Sequence, residues 1–314
     1  MMSDMKDYRP LTLKQALQLA APHTWAASLC PALFGPVYCR LTHIPLPLWK
    51  AVLLTAACVL LQSAVNALND YHDFVKGTDS MDDNVEENDA VLVYGNVDPR
   101  SARNLGMLFL VIGAVLGLIC SIRAGWLPVL IGMTGALCIF LYSGGPLPLS
   151  YLPVGELVSG TVMGGLIPLG TAACTDGKLH ADIVLFSIPL ILGIGLIMMS
   201  NNGCDIEKDM AAGRKTLPVC LGRKGTLYLY RLVMVCWVIL VIVFTCLLTG
   251  KTGLVTVLLL LAAVGHAIVG QLKLGLKPEE RIRQMKGIIR CNLLINGTYI
   301  VSLVFGLIRG IIHG

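Results

Sequence analysis

The chain has 314 residues, of which 55% are hydrophobic and 14% charged, with a mean hydropathy of +0.75 and a formal net charge of +5. That balance lies outside the range of soluble domains and makes the chain an integral membrane protein. The small positive excess carries no argument for nucleic acid, and the eleven cysteines, which form no CxxC pair, imply neither a disulfide framework nor a zinc site.

The opening MMSDMKDYRP mixes both signs and leads into no apolar core with a cleavage site, so no signal peptide is expected. A hydrocarbon core of about 30 Å needs roughly 20 apolar residues of helix. Nine stretches come near that length, at about 24–40, 47–68, 104–122, 125–142, 152–174, 182–202, 226–250, 252–272 and 291–312. With the N-terminus inside, 18 of the 24 basic residues fall in inner segments, leaving Arg40, Lys50, Arg123, Lys178, Lys251 and Arg309 outside. Lysine and arginine gather on the cytoplasmic side of short loops. The expectation is therefore an all-α polytopic protein of the cell membrane, one domain spanning 1–314, with nine transmembrane helices and a cytoplasmic N-terminus.

Of the 19 acidic residues, all but Asp176 and Asp182 fall on the inner side, and they concentrate in two places. The first is NALNDYHDFVKGTD, residues 66–79, where Asn66, Asn69, Asp70 and Asp73 stand at 0, +3, +4 and +7. That spacing puts all four on one stripe of a helix. The second, NNGCDIEKDMAAGRKTLPV, sets Asn201 or Asn202 before Asp205 and Asp209 at similar intervals. Each stripe closes with glycine and a cation, Lys76-Gly77 in one and Gly213-Arg214-Lys215 in the other. The bland reading, solvated helix ends, accounts for a single aspartate better than for two matched stripes. Like charges at helical spacing repel, and carboxylates sharing a face are tolerable when a cation sits between them. Oxygen donors of this kind suit Mg²⁺, which binds through a few carboxylates plus phosphate oxygens. Two such stripes would clamp a diphosphate, with Lys76, Arg214 and Lys215 neutralising the remaining charge. A diphosphate whose other end belongs in hydrocarbon is an isoprenoid.

These residues resemble the UbiA superfamily of intramembrane aromatic prenyltransferases. NDYHDFVKGTD together with NNGCDIEKDMAAGRKTLPVCLG is most similar to the branch of 1,4-dihydroxy-2-naphthoate polyprenyltransferases of menaquinone synthesis, and YSGGPLPLSYLPVGELVSG, residues 142–160, resembles that branch's segment between helices 4 and 5. The resemblance implies a UbiA-like bundle whose two motifs face a central cavity. It implies that Asn69, Asp73, Asp205 and Asp209 hold the magnesium diphosphate, that Asp70 and Asp79 support them, and that Lys215 binds phosphate. The implied reaction moves a polyprenyl group from its diphosphate to an aromatic acceptor, 1,4-dihydroxy-2-naphthoate with loss of CO₂. Other acceptors of the family (4-hydroxybenzoate, homogentisate, haem or a lipid alcohol) stand as alternatives. The chain departs from the family where Ala21 replaces an arginine before a proline, and in the loop before helix 3, MDDNVEENDAVLVYGNVDPR, which is acidic and then apolar.

Smaller candidates sit beside the stripes. Asn66 and Asn202 lie within them, Tyr142 and Glu156 flank an inner loop where they could orient an acceptor, and His23 stands where a headgroup ligand would be useful. Asn292 and Asn296, four apart, read as hydrogen-bonding glue between helices, and His266 as structural. A transporter would spread its acids through the depth of the membrane, whereas here the helix middles are nearly clean.

Overall fold

The computed structural model describes residues 8–76, 91–143 and 148–313, with backbone alone at residues 73, 76, 143 and 310–313. Among the described residues the regular structure is helical, joined by turns and loops, with one isolated bridge between Arg9 and Val97. In chain order the helices are α1 Leu13–Ala20, α2 Ala26–Leu41, α3 Leu48–Lys76, α4 Val91–Tyr94, α5 Pro99–Ser121, α6 Leu127–Ser143, α7 Gly155–Gly160, α8 Ile167–Asp176, α9 Asp182–Phe186, α10 Ile188–Cys204, α11 Ile206–Ala211, α12 Leu217–Lys273 and α13 Arg281–His313. A π-helical stretch, Thr161–Leu166, joins α7 to α8.

Seven of the nine stretches expected from the sequence fall on a single helix, whereas 152–174 is divided among α7, the π-helical stretch and α8, and 182–202 between α9 and α10; several helices outrun their apolar core. The third helix continues past residue 68 to Lys76, and α13 starts at Arg281, ten residues before its greasy part. Five helical runs are long and apolar enough to cross a bilayer: Leu48–His72, Pro99–Ser121, Gly155–Asp176, Leu217–Lys273 and Pro278–Arg309; Leu127–Tyr142 and Ile188–Cys204 are shorter apolar helices. A straight helix of 57 residues would be about 85 Å long, nearly three hydrocarbon thicknesses. Instead α12 breaks near its start at Gly222, φ 66°, ψ 166°, and midway at Gly250, φ 65°, ψ −151°, conformations that exclude other residues. The two halves fold back on each other: Arg231 Nε donates to the Leu272 carbonyl at 3.0 Å and Gln271 Nε2 to the Tyr230 hydroxyl at 2.9 Å. The break at Gly250 stands where the sequence separates 226–250 from 252–272.

The chain divides into two compact units, residues 1–25 with 56–116, and residues 26–55 with 117–314. In the first, a capping box starts α1: Thr12 Oγ1 accepts from Gln15 N at 3.3 Å while Thr12 N donates to Gln15 Oε1 at 3.0 Å. Ala21 then turns the chain in a left-handed conformation, φ 46°, ψ 65°, into a 3₁₀ turn at Pro22–Thr24. The core of this unit is Leu19, Ala67, Val91, Leu92, Val97 and Ala102, with Tyr71 and Phe74 packed on it. The apolar end of the loop that departs from the family is thus core: its VLVY segment, Val91–Tyr94, folds as α4.

The second unit holds the larger core, with Phe34, Tyr38, Leu190, Leu196, Tyr230, Met234, Trp237, Ile295 and Tyr299 at its centre. Glycines let its helices touch: a Cβ on Gly164 would stand 2.5 Å from the backbone nitrogen of Ile191. Some buried polar groups are paired across helices or along one. Trp237 Nε1 donates to Asn296 Oδ1 at 3.0 Å and Asn296 Nδ2 to Asn292 Oδ1 at 3.1 Å, as expected of this asparagine pair. Lys50, nearly buried, donates to the carbonyl of Cys174 at 2.6 Å near the C-terminal end of α8, where a cation is favoured. His266 lies mid-helix with its side chain exposed. Along α12, Leu232, Val235, Ile239, Val243 and Leu247 form an exposed apolar stripe at helical spacing. In water such a stripe would be a liability; in a membrane protein it meets lipid.

Candidate active site

The first motif ends α3, in the first unit. Asn66 works as a fastener: its Nδ2 donates to the Ala20 carbonyl at 3.1 Å and to Thr24 Oγ1 at 2.8 Å. Beside it, Trp25 Nε1 donates to Ser63 Oγ at 3.0 Å and to the same Ala20 carbonyl at 3.1 Å. The amide therefore satisfies the orphan end of α1 and fixes the turn that carries His23, itself exposed. Asn69 is exposed one turn further on and Asp70 is half-buried. Asp73 and Lys76 occupy the last turn of α3, their side chains lying outside the described residues, as does Asp79 entirely. Tyr71 packs on the unit's core, with the Arg103 guanidinium 6.0 Å from its ring centre.

The second motif lies wholly in the second unit, and its frame is different. A continuous helical stripe through Asn202, Asp205 and Asp209 is the sequence expectation; the structure corrects it. Helix α10 ends at Cys204 and α11 begins at Ile206, with Asp205, φ −103°, ψ 18°, in the joint. The two asparagines, adjacent in the last turn of α10 before the joint, face different ways. Asn202 Nδ2 donates to Glu156 Oε1 at 2.8 Å, whereas Asn201 Oδ1 turns the other way and accepts from Arg281 at 2.8 Å. Arg281 Nε also donates to both oxygens of Asp205, at 3.1 and 3.2 Å.

Asp209 is 3% exposed. Its Oδ1 accepts from Arg214 at 3.4 Å and its Oδ2 from Thr216 Oγ1 at 3.1 Å. Burial pushes the Asp209 carboxyl above the ordinary carboxylate range and Asp205 adds to the push, against the opposing pull of Arg214 and Thr216. Gly213, at φ 71°, makes the turn that brings Arg214 back. The Arg214 guanidinium lies 4.7 Å from the centre of the Tyr151 ring, and Lys215 N donates to the Tyr151 carbonyl at 2.8 Å. The Lys215 side chain is exposed. Glu156 is 4% exposed, and its Oε2 is buried with no hydrogen-bond partner. A Cβ on the adjacent Gly155 would stand 3.6 Å from the Tyr142 hydroxyl, which sets that hydroxyl beside the residue preceding Glu156.

Among the described residues, no three His, Cys, Asp or Glu side chains converge as a metal-binding group. What converges is acids on arginines. Glu207, between the two motif aspartates, is bridged by Arg223 at 2.6 and 2.7 Å, and the same guanidinium donates to the Gly203 carbonyl at 3.1 Å. Arg281, Arg223 and Thr216 escape sequence reasoning. The two arginines count only towards topology there, and Thr216 lies seven residues past its partner.

Residues 28–289 match the UbiA prenyltransferase family. The chain belongs to that family. Like its relatives in the UbiA family, it is a prenyltransferase. It is 35% identical over 212 residues to the 1,4-dihydroxy-2-naphthoate octaprenyltransferase of Bacillus subtilis (strain 168), covering 68% of this chain and 67% of that one. It is 34% identical over 219 residues to the enzyme of the same name from Mycobacterium tuberculosis, covering 68% and 71%. Among solved structures, a UbiA homologue from Archaeoglobus fulgidus, bound to DMAPP and Mg²⁺, superposes with a TM-score of 0.61 over 93% of this chain and 99% of that one, at 17% identity. That likeness establishes the UbiA fold.

Proposed function

We propose that the chain transfers a polyprenyl group from polyprenyl diphosphate to 1,4-dihydroxy-2-naphthoate, with loss of the acceptor's carboxyl group as CO₂. The supporting observation is the second motif's arrangement in a chain that, over 68% of its length, is 35% and 34% identical to two 1,4-dihydroxy-2-naphthoate octaprenyltransferases. Asp205 and Asn201 turn three oxygens onto one cation, and Asp209 meets a second. These hard oxygen donors fit Mg²⁺, and the A. fulgidus homologue carries Mg²⁺ with an allylic diphosphate.

In this reading Asp205 and Asp209, with Asn69 and Asp73 of the first motif, hold the magnesium diphosphate; Asp70 and Asp79 support them. Bound there, the metal stabilises negative charge on the departing diphosphate. Lys76, Arg214 and Lys215 contribute donors to the same oxygens, Arg214 from a guanidinium already held against Tyr151. Apolar helices keep water from the allylic carbon until the ring attacks. Asn202 holds Glu156, which with Tyr142 flanks the acceptor, and Asn66 secures the turn bearing His23. The whole chain acts as one domain of nine crossings in the cell membrane, with its N-terminus and both motifs on the cytoplasmic side.

The test is to incubate membranes carrying the protein with labelled polyprenyl diphosphate and a panel of acceptors, with Mg²⁺ or EDTA, and to weigh the products. Prenylation of dihydroxynaphthoate with loss of CO₂, abolished by EDTA, is the expected result. Transfer to 4-hydroxybenzoate or homogentisate instead would move the chain to another branch.

A further inference from the structure

The connection between α12 and α13 is built around the second motif. Leu276, 1% exposed, lies against Gly203, where an added Cβ would meet its Cδ1 at 2.9 Å. The backbone nitrogen of Gly275 donates to Glu280 Oε2 at 3.0 Å, closing the turn just before α13 begins. This packing fixes Arg281, the first residue of α13, over the joint at Asp205. Its Nε reaches both carboxylate oxygens at 3.1 and 3.2 Å and its Nη2 reaches Asn201 Oδ1 at 2.8 Å. One guanidinium thus satisfies a carboxylate and an amide that stand four residues apart across a break in the helix. A lysine could not span both with a single geometry.

The lone pairs that Arg281 occupies include those that the proposed function gives to the metal at Asp205. A guanidinium and a divalent ion cannot share them fully. We propose that Arg281 is the resident counter-cation of the second motif: it neutralises Asp205 and orients Asn201 while no divalent ion is bound, and passes to a diphosphate oxygen when metal and diphosphate arrive. The inference rests on the diphosphate reading of the site. Arg281 is a positioning residue in the ligand-free protein, where it keeps Asp205 pointed at the place a cation will take. Once the metal has taken Asp205, the fork lies beside a new polyanion whose oxygens suit it better than the vacated carboxylate does.

The test measures Mn²⁺ binding to the purified full-length protein by electron paramagnetic resonance, with and without inorganic diphosphate, for wild type, Arg281→Gln and Arg281→Lys. Removing a competing cation should tighten Mn²⁺ binding by about 5-fold when the metal is alone, whereas losing a phosphate donor should weaken it by about 10-fold when diphosphate is present. A loosened fold weakens both, so opposite signs carry the proposal. Arg281→Lys should shift both in the same directions by less, and it bears the test if melting curves show Arg281→Gln to be unfolded. Shifts of the same sign, or none, overturn the role of Arg281 while leaving the prenyltransferase reading intact. A wild type that binds neither Mn²⁺ nor its diphosphate overturns that reading and this inference with it.

Discussion

In the first motif the helix runs without interruption from Leu48 to Lys76, so Asn66, Asn69 and Asp70 lie along one rigid rod; in the second, the helix stops at Cys204 and restarts at Ile206 with Asp205 in the joint. The leading amides differ in the same way. Asn66 spends its amide on backbone and hydroxyl groups that shape its own unit, whereas Asn202 holds a buried carboxylate and Asn201 shares a guanidinium with Asp205. Similar strings of Asn and Asp have thus been placed on a fastening frame in one case and on a charge-balanced frame in the other. At the broken helix Asn201 and Asp205 converge on Arg281, while Asp209 beyond the joint meets Arg214 and Thr216.

The largest expected effect comes from removing charge where the frame is charge-balanced. Asp209→Asn should lower kcat/KM for prenyl transfer at least 1,000-fold, about 4 kcal/mol of transition-state stabilisation, in a radiolabel assay. Its stability should move oppositely with pH. Burial raises the Asp209 carboxyl above its unfolded value, so the folded state binds that proton more tightly. Stability from this group is then greatest in acid and falls as pH rises from the ordinary carboxylate value through the folded one. Metal-free wild type should therefore lose melting temperature relative to Asp209→Asn over that rise, measured in detergent with EDTA. A flat difference would mean that Arg214 and Thr216 fully offset burial.

Two amide deletions sharpen the comparison at intermediate size. Asn66→Ala removes one of the two donors on the Ala20 carbonyl and the amide donor on the Thr24 hydroxyl, and Asn202→Ala takes from the buried Glu156 the donor on its Oε1. Each should cost about 1–3 kcal/mol of stability. The two should differ in where the loss shows: proteolysis of the 20–25 segment should rise in Asn66→Ala alone. If both variants loosen that segment equally, the division of labour drawn between the motifs is wrong.

Much of this architecture was legible in the sequence because a bilayer leaves few options: apolar length gives the helices, and the clustering of acids at helix ends gives the two motifs. The midway break in α12 was legible too, since Gly250 falls between two runs that are each long enough to span. The joint at Asp205 was not, because +3 and +4 spacing in NNGCDIEKD suits an unbroken helix, and what ends α10 is tertiary: Arg223 takes the Gly203 carbonyl from 20 residues away. Arg281 was hidden for a related reason. It is one of six basic residues between 273 and 290, and only the packing of Leu276 against Gly203 singles it out. The helix α1 and its left-handed exit at Ala21 were missed because eight residues with a single capping box fall below the length that membrane reasoning looks for.

That exit supplies a smaller prediction about the first motif's frame. Ala21 adopts φ 46° at the end of α1, a conformation that disfavours any Cβ, and its neighbour Ala20 is the carbonyl that Asn66 and Trp25 both hold. Ala21→Gly relieves the strain but frees the unfolded chain, so a net gain of about 0.5 kcal/mol is expected, read as a modest rise in melting temperature. A loss would mean that the alanine methyl packs more than the backbone strains.

The smallest effect should come from the acid that looks most like part of the second motif and is not. Glu207 stands between Asp205 and Asp209 in NNGCDIEKD, yet its side chain is 66% exposed and turned onto Arg223. That hydrogen bond holds its carboxyl below the ordinary range, so the pair stabilises the fold above the unfolded carboxylate value and the contribution is lost as pH falls through the folded one. Because water screens an exposed pair, Glu207→Gln should cost less than about 1 kcal/mol. Prenyl transfer should stay within about 2-fold of wild type, under 0.5 kcal/mol in the barrier. The comparison with Asp209→Asn is then direct, two acids two residues apart with charge removed from each. A large loss of activity in Glu207→Gln would place the bridge to Arg223, and through it the Gly203 carbonyl beside the joint, among the groups that hold Asp205 in its working position.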